Sequence, residues 1–398
     1  MRRRTLLRCR GRQGEQVTPF GVYLHVPYCS TRCGYCDFNT YTAAELGGGA
    51  SQAGYASTAI AEIALAEADL RSRGLARRQA TTVFFGGGTP TLLPTADLIA
   101  MLDAVRITWG LAADSEVTTE ANPDSVTAAD LRKLADAGFT RVSFGMQSAV
   151  PHVLATLDRT HDPDRVPRVV GWARDAGLAV SLDLIYGTPG ESLGDWRASV
   201  VTALDLAPDH LSAYGLTIEP GTKMHAQVRR GELPGVDGDD QAAKYELVDD
   251  LAQQSGFGWY EISNWARSPE QRCRHNLGYW RSHDWWGIGP GAHSHLSGRR
   301  FWNVKHPRAY EARVRAGDLP IAQMELLTAE QMDDERILLG IRLVDGLPVS
   351  GRQADQVLPE LVSQGLAQAE PAANRTVRLT RRGRLLADSV VAALVDTG

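Results

Sequence analysis

Short apolar runs rich in β-branched residues alternate with longer segments of helical periodicity along the first half of the chain. Three of the helical segments follow a proline or a side chain suited to capping a helix. We therefore expect parallel strands joined by right-handed helical crossovers. The expected strands are residues 21–26, 82–85, 116–120, 141–144, 179–185 and 210–216, and helices between them include 55–70, 95–108, 127–137 and 163–176.

Six strand–helix units are too few to close an eight-stranded barrel. The predicted fold class is therefore α/β, an open and partial (β/α)6 barrel. In such sheets the functional groups gather at the carboxyl ends of the strands. This places the candidate chemistry at one edge of the sheet.

The character of the sequence changes again near residue 320. Segments 325–342 and 359–364 have helical patterns, and 377–380 followed by 384–394 indicates a strand, a turn and a helix. This order is typical of a small winged-helix-like α+β module. We predict a basic flexible tail at 1–18, a core barrel at 19–235, a barrel extension at 236–318 and a winged-helix-like domain at 319–398.

Composition excludes several classes of protein. The 398 residues are 43% hydrophobic and 22% charged, which excludes wholesale disorder. A net charge of -5 argues against a generally basic nucleic-acid binder, and no apolar run approaches the length of a membrane span. The arginine-rich start of the chain lacks the apolar core of a signal peptide. We expect a cytoplasmic protein, with peripheral membrane association left open.

Three of the five cysteines, Cys29, Cys33 and Cys36, lie within eight residues of one another. An odd number of cysteines with this clustering is not typical of a disulfide framework. Three thiolates can hold a four-iron four-sulfur cluster and leave one iron open to a further ligand. A zinc site completed by His25 or another residue, and an incidental clustering of thiols, are the alternatives.

Other polar residues lie at or near the carboxyl ends of the expected strands. The glycine-rich segment 86–91 follows the second strand, where backbone amides could approach a ligand closely or form a tight turn. Glu120 and Gln147 end later strands, and Asp183 stands inside an apolar one, where an unpaired acid is costly. Arg159 could pair with a carboxylate. Each could instead be structural, but three polar residues on successive strands favour a lined cavity.

The spacing C-x3-C-x2-C, with Tyr35 before the last cysteine, resembles the radical S-adenosylmethionine (SAM) superfamily. This resemblance implies that the open iron chelates SAM, whose reductive cleavage gives a 5′-deoxyadenosyl radical. Further motifs resemble the family of oxygen-independent coproporphyrinogen III oxidases. They are segments 23–29, 86–91, 142–147, 183–189 and 211–217.

Segments 275–280 and 287–294 resemble one branch of that family, the heme chaperones called HemW. The true oxidases carry a fourth cysteine two positions after the third, where this chain has Phe38. The resemblance assigns no catalytic residue. It assigns the cluster to the three cysteines and SAM to Tyr23, Tyr35, Gly87, Gly88, Thr89, Glu120, Gln147, Arg159, Asp183, Thr217 and Ala292.

Heme requires an axial ligand and apolar or aromatic walls. His275, Tyr279 and Trp280 offer this chemistry, and His275 and Tyr279 would share one face of a helix. The alternative is a core histidine packed among aromatic rings. Cys273 and His25 are further possible ligands.

Three functions are consistent with the sequence. The first is a heme chaperone that passes heme to respiratory-chain apoproteins, some of them membrane-bound. The second is an enzyme that oxidatively decarboxylates coproporphyrinogen III, and the third is a structural metal-binding protein. Phe38 and segment 275–280 favour the first. The expected ligands are a 4Fe-4S cluster, SAM and heme as cargo, with no nucleic acid, and a homodimer is left open.

Overall fold

The computed structural model describes residues 18–46, 52–75, 78–369 and 374–395 of the chain. Apart from Thr18, the predicted basic tail lies outside these residues. None of the helices in the described ranges is both long and apolar enough to cross a bilayer.

Six parallel strands form the centre of a twelve-stranded sheet and follow one another in chain order. All six were predicted, because strands covered on both faces consist of nearly continuous apolar runs. The two end strands of this sheet do not pair with each other, so the predicted open sheet is confirmed. The central strands are β1 (Phe20–Val26), β2 (Ala80–Gly87), β3 (Leu111–Ala121), β4 (Arg141–Gln147), β5 (Ala179–Tyr186) and β6 (His210–Gly215).

Helices connect these strands, and capping residues fix where two of the helices begin. The side chain of Thr127 accepts a hydrogen bond from the backbone of Asp130, whose carboxylate accepts one in return, and Ser192 and Asp195 repeat the arrangement. Such boxes satisfy N–H groups that a helix start leaves without partners. The helices are α1 (Ala43–Leu46), α2 (Tyr55–Ser72), α3 (Thr95–Thr108), α4 (Ala128–Asp136), α5 (Pro151–Thr156), α6 (Val166–Asp175) and α7 (Leu193–Asp205).

Both edges of the parallel sheet are extended by later segments of the chain. β7 (Gly258–Glu261) and β8 (Asn264–Ala266) lie beyond β6, where β8 pairs antiparallel with β6. On the other side β9 (Asp284–Ile288) pairs parallel with β1, a seventh parallel strand that the sequence did not predict. Antiparallel β10 (His293–Leu296), β11 (Arg299–Asn303) and β12 (Ile321–Leu326) follow, and the helices of this region are α8 (Lys223–Arg229), α9 (Gly238–Gln254), α10 (Arg274–Trp280) and α11 (Pro307–Arg315).

The last part of the chain surrounds a second hydrophobic core. The prediction of a helix from residue 325 was wrong at its start, because Glu325 lies in β12 and a Thr328–Gln331 capping box begins the helix later. The expected helix 384–394 is divided near Leu386. The elements are α12 (Ala329–Gly340), β13 (Leu347–Pro348), α13 (Leu358–Ser363), β14 (Thr376–Val377), α14 (Arg381–Leu385) and α15 (Ala387–Val395). The domain boundaries stay a prediction.

Candidate functional site

A cavity of about 660 Å³ opens at the carboxyl ends of the parallel strands. Its lining joins residues from 29–39 after β1 (the cysteine segment), from 86–91 at the end of β2 (the glycine turn) and polar side chains on β3 to β6. This is the edge of the sheet where the sequence placed the candidate chemistry.

Cys29, Cys33 and Cys36 all line the cavity, and none is fully buried. Burial, with Cys36 and Cys33 nearby, raises the pKa of the Cys29 thiol to about 11, and burial also raises the pKa of Cys36. No three His, Cys, Asp or Glu side chains of the described residues are grouped to hold a single metal ion. A four-iron cluster is bound through separate irons, so its thiolates need not converge on one point.

The cysteine segment is fixed by hydrogen bonds to β1 and to the turn after β9. His25 Nε2 lies 2.9 Å from the carbonyl oxygen of Asn39, and His25 Nδ1 lies 3.0 Å from the hydroxyl of Tyr23. The Asn39 amide donates to the Pro290 carbonyl at 2.9 Å. Burial lowers the pKa of His25. Both ring nitrogens of His25 therefore have partners, which disfavours it as the fourth metal ligand.

The glycine turn lies directly against the cysteine segment. Gly87 has a φ of 113°, and a Cβ there would lie 2.6 Å from the His25 ring. A Cβ on Gly88 would lie 2.5 Å from the Tyr28 carbonyl oxygen and 3.0 Å from Cys29 Sγ. Only glycine fits both positions, because a Cβ at residue 87 would collide with His25 on β1 and a Cβ at residue 88 would collide with Tyr28 and Cys29.

Two carboxyl groups share the interior of the cavity. Burial, with Asp183 nearby, raises the pKa of Glu120 to about 8, although Glu120 accepts a 3.0 Å hydrogen bond from the Gly87 amide. Burial likewise raises the pKa of Asp183 to about 6, and both its oxygens accept from Ser143 Oγ. Buried acids of this kind are costly unless a ligand supplies further hydrogen bonds.

Arg159 and Gln147 complete this side of the cavity. Arg159 donates to the Gly145 carbonyl at 2.7 Å and approaches Cys33 Sγ at 3.7 Å. Its Nε is buried without a hydrogen-bond partner among the described residues. Gln147 has a φ of 61°, a left-handed conformation that is strained for a residue other than glycine. An unsatisfied guanidinium N–H beside the thiols suits an anionic ligand.

His275 lies on the wall of the cavity and is only 3% exposed. Its Nδ1 is 2.8 Å from Thr82 Oγ1 and its Nε2 is 2.7 Å from the Tyr279 hydroxyl. Burial lowers the pKa of His275 to about 3, so the ring is neutral. Cys273 also lines the cavity, and burial raises the pKa of its thiol. Ligation through His275 Nε2 requires Tyr279 to move away first.

The structure brings together most of the predicted site residues and excludes two of them from the cavity. Ala292 is buried in the turn between β9 and β10, and Trp280 packs beside Leu277 and Leu343 in a separate apolar cluster. The predicted residues that line the cavity are Tyr23, Cys29, Cys33, Tyr35, Cys36, Gly87, Gly88, Thr89, Glu120, Gln147, Arg159, Asp183, Thr217, His275 and Tyr279.

Sequence reasoning missed several lining residues, of which Arg141 is the most informative. It begins β4 and donates to the Gln271 carbonyl at 2.7 Å, yet its Nε and Nη1 are buried without partners among the described residues. Thr118 is its register neighbour on β3 and also has an unsatisfied hydroxyl. A charged residue at the start of an apolar strand was the available signal.

A model of the radical SAM superfamily matches residues 23–202. The heme chaperone HemW of Mycobacterium tuberculosis (strain ATCC 25618 / H37Rv) is 49% identical over 380 residues, which cover 95% of each chain. That of Escherichia coli (strain K12) is 34% identical and covers 89% of this chain and 92% of its own. This chain belongs to the HemW family. The resemblance inferred from the motifs is thereby confirmed.

A solved structure agrees with the fold of this HemW-family chain. Coproporphyrinogen III oxidase (HemN) from Escherichia coli, described as a radical SAM enzyme, superposes with a TM-score of 0.78. The match covers 96% of this chain and 91% of that one at 22% sequence identity. At this identity the likeness shows a shared fold.

The radical SAM superfamily implies a 4Fe-4S cluster and SAM as cofactors. The residues of this HemW-family chain fit both. Three thiols line the same cavity, and two glycines leave room beside them. The buried Nε of Arg159 has no hydrogen-bond partner among the described residues. The donor set is therefore suited to a thiolate-bound cluster with an anionic, hydrogen-bonding ligand next to it.

Proposed function

We propose that this protein binds heme and delivers it to respiratory-chain apoproteins, on a core that holds a 4Fe-4S cluster and SAM. The observation that carries the proposal is similarity over 95% of both chains to a protein named heme chaperone HemW. Phe38 supports it, because this residue stands two positions after Cys36, where the true oxidases carry a fourth cysteine.

In this proposal Cys29, Cys33 and Cys36 hold the cluster. When bound, the cluster and SAM supply one-electron reductive chemistry at the SAM sulfonium. The backbone of the glycine turn and Arg159 bind the amino-acid end of SAM, and the Nε of Arg159 has no hydrogen-bond partner among the described residues. In the same proposal Tyr23 is near the junction of the cluster and SAM, and Tyr35 and Thr217 are near the adenine. Ribose and carboxylate groups of SAM are held by Glu120, Gln147 and Asp183.

The cluster assignment predicts that Cys33→Ala removes the iron. Loss of one thiolate leaves only two protein ligands, which are too few for a stable cluster. We expect reconstituted wild-type protein to contain about four irons per chain and the variant to lack the visible absorbance of the cluster. Cys273→Ala is the matched control, because Cys273 lines the same cavity outside the motif. Full iron content in the Cys33 variant refutes the assignment.

Heme ligation by His275 predicts that His275→Ala weakens heme binding. Removal of the imidazole removes the axial nitrogen and its hydrogen bond to Tyr279. The measurement is a titration of heme followed in the visible spectrum. His295→Ala is the control, because His295 is also buried and hydrogen-bonded through both nitrogens but does not line the cavity. Equal heme affinity of the His275 variant and wild type contradicts the assignment.

A further inference from the structure

The inner end of the cavity contains hydrogen-bond donors that lack an acceptor. Arg141 on β4 is 4% exposed and Thr118, its register neighbour on β3, is 1% exposed, and both line the cavity. Arg141 Nε and Nη1 and the Thr118 hydroxyl are buried without a hydrogen-bond partner among the described residues. A buried donor without a partner is costly, and the cost is larger when the donor is charged. Two such side chains side by side in a cavity indicate a ligand that supplies acceptor atoms.

Glu116 approaches Arg141 but does not satisfy these donors. Its oxygens each accept a hydrogen bond at 3.0 Å from the start of α10, one from the Arg274 amide and one from the His275 amide. Arg141 comes near Glu116 only through Nη2, at 3.6 Å, and the same nitrogen donates to the Gln271 carbonyl at 2.7 Å. The ion pair therefore leaves the other two nitrogens of the guanidinium without an acceptor.

The histidine at this end of the cavity has no nitrogen left to accept from Arg141. His210 on β6 lines the cavity and is 2% exposed. Its Nδ1 lies 2.8 Å from Ser181 Oγ and its Nε2 lies 2.7 Å from the Tyr260 hydroxyl. Burial, with the Arg141 charge nearby, lowers the pKa of His210 well below its usual range, so the ring is neutral. The missing acceptor must therefore come from outside these groups.

Arg141 and Thr118 lie deeper in the cavity than the two carboxyl groups proposed to hold SAM. The cavity opens at the carboxyl ends of the strands, and Thr118 precedes Glu120 by two residues on β3. On β4, Arg141 precedes by two residues Ser143, which donates to Asp183. Residues two apart on a strand share a face at a spacing of roughly 6.6 Å. The two donors therefore form a separate layer of the cavity, further from its mouth.

We propose that Arg141 and Thr118 bind a carboxylate of the cargo, namely a propionate side chain of the tetrapyrrole. This inference rests on the proposed heme function and assigns contacts that are separate from the iron ligand. Hydrogen bonds from a guanidinium to a carboxylate are charge-assisted and therefore strong. His275, the proposed iron ligand, donates its amide to the same Glu116 carboxylate that Arg141 approaches. The iron contact and the propionate contact are thus neighbours in the fold.

The test compares heme with iron etioporphyrin, in which alkyl groups replace every carboxylate side chain and the iron is unchanged. We expect Thr118→Val to weaken the binding of heme by roughly tenfold and Arg141→Gln by roughly ten- to a hundredfold. Neither variant should change the binding of iron etioporphyrin, which has no carboxylate to lose.

Thr118→Val is the cleaner variant, because valine keeps the shape of threonine and the hydroxyl has no protein partner to lose. It keeps the test valid if Arg141→Gln disturbs the Glu116 ion pair and the fold. Thr119→Val is the matched control, since Thr119 is also 1% exposed on β3 but does not line the cavity. All variants are compared as reconstituted protein with wild-type iron content, and their affinity for SAM is measured beside that for the porphyrins.

Weaker binding of heme, with unchanged binding of iron etioporphyrin and SAM, supports the propionate site. Equal weakening for both porphyrins overturns it, because the two residues then act only through the fold. Unchanged binding of heme by both variants also overturns it and leaves the heme function standing. Loss of SAM binding assigns the donors to the carboxylate of SAM and overturns the propionate contact. If the wild-type chain binds neither porphyrin, the proposed function itself fails.

Discussion

Glu120 is a carboxyl group that folding makes harder to ionise. Burial raises its pKa to about 8, from roughly 4.3 in an unfolded chain. Between these values the folded state binds more protons than the unfolded state, so a rise in pH destabilises the fold. Glutamine cannot ionise and keeps an oxygen that can accept from the Gly87 amide.

We therefore expect Glu120→Gln to melt at a higher temperature than wild type at about pH 9, with a difference that shrinks toward about pH 5. The measurement is thermal unfolding of the cofactor-free chain across this range. Glu246→Gln, an exposed carboxyl on α9, is the control. A difference that does not change with pH contradicts the origin assigned to the Glu120 pKa.

Site residues that are close together in sequence, or that lie at the ends of strands, could be predicted from the sequence. The cysteine motif needs no tertiary information, and polar Glu120 and Asp183 stand out in apolar strands. Arg141 and Tyr214 resemble ordinary structural residues in sequence, because only the curvature of the sheet turns them into the cavity. The assignment of Ala292 to SAM stays a prediction, although its side chain is buried and does not line the cavity.

One buried side chain, Glu62, joins several helices and strands by hydrogen bonds. Glu62 on α2 accepts from the Gly289 amide at 2.8 Å, from Asn303 on β11 at 2.7 Å and from the Tyr310 hydroxyl on α11 at 2.6 Å. Pro290 follows Gly289, and its carbonyl accepts a hydrogen bond from the side-chain amide of Asn39 in the cysteine segment. Glu62 therefore links the packing of two helices to the position of the thiols.

Tyr310→Phe removes one donor from this buried carboxylate without changing the shape of the ring. We expect a loss of about 1–3 kcal/mol in the free energy of unfolding, measured by urea denaturation. Tyr41→Phe is the comparison, because its hydroxyl donates to Asn39 at a half-buried position and should matter less. A Tyr310 variant as stable as wild type shows that Glu62 does not join these elements energetically.

The elements themselves were predicted to different extents. β1 to β6 and the helices between them follow local patterns of apolar residues and caps. β9 was not predicted, because it has only five residues and its parallel partner, β1, lies far away in sequence. The start of α12 could be predicted only from the capping box of Thr328 and Gln331, because the apolar pattern does not show where the helix begins.

Across the whole molecule, a buried ion pair attaches the C-terminal core to the barrel. Arg384 on α14 donates to both carboxylate oxygens of Asp249 on α9, at 3.1 and 2.7 Å, and lies 4.4 Å from the Trp259 ring centre. Arg381 also pairs with Asp249, at 2.7 Å. These contacts join the two hydrophobic cores together with others, such as the backbone hydrogen bond from Val344 to the Tyr260 carbonyl.

Arg384→Leu leaves the buried Asp249 carboxylate with Arg381 as its remaining charged partner. We therefore expect the free energy that holds the C-terminal core on the barrel to fall by about 3 kcal/mol, the lower end of the range for breaking a buried ion pair. The measurement is the rate of limited proteolysis within the C-terminal core, which should rise. Arg382→Leu is the control, since Arg382 is exposed on the same helix and its side chain donates to the Gln364 carbonyl, on the C-terminal side of the attachment. Equal protection of the Arg384 variant and wild type contradicts this account.

The function proposed for this chain is the binding and delivery of heme, without oxidative decarboxylation of coproporphyrinogen III. The most direct measurement supplies coproporphyrinogen III, SAM and a reductant under strict anaerobiosis to protein with a full cluster by iron count, and tests the same preparation for heme binding. We expect no protoporphyrinogen and stoichiometric binding of heme. Loss of carboxyl groups from coproporphyrinogen at a catalytic rate would contradict the account and would make the chain an oxidase despite Phe38.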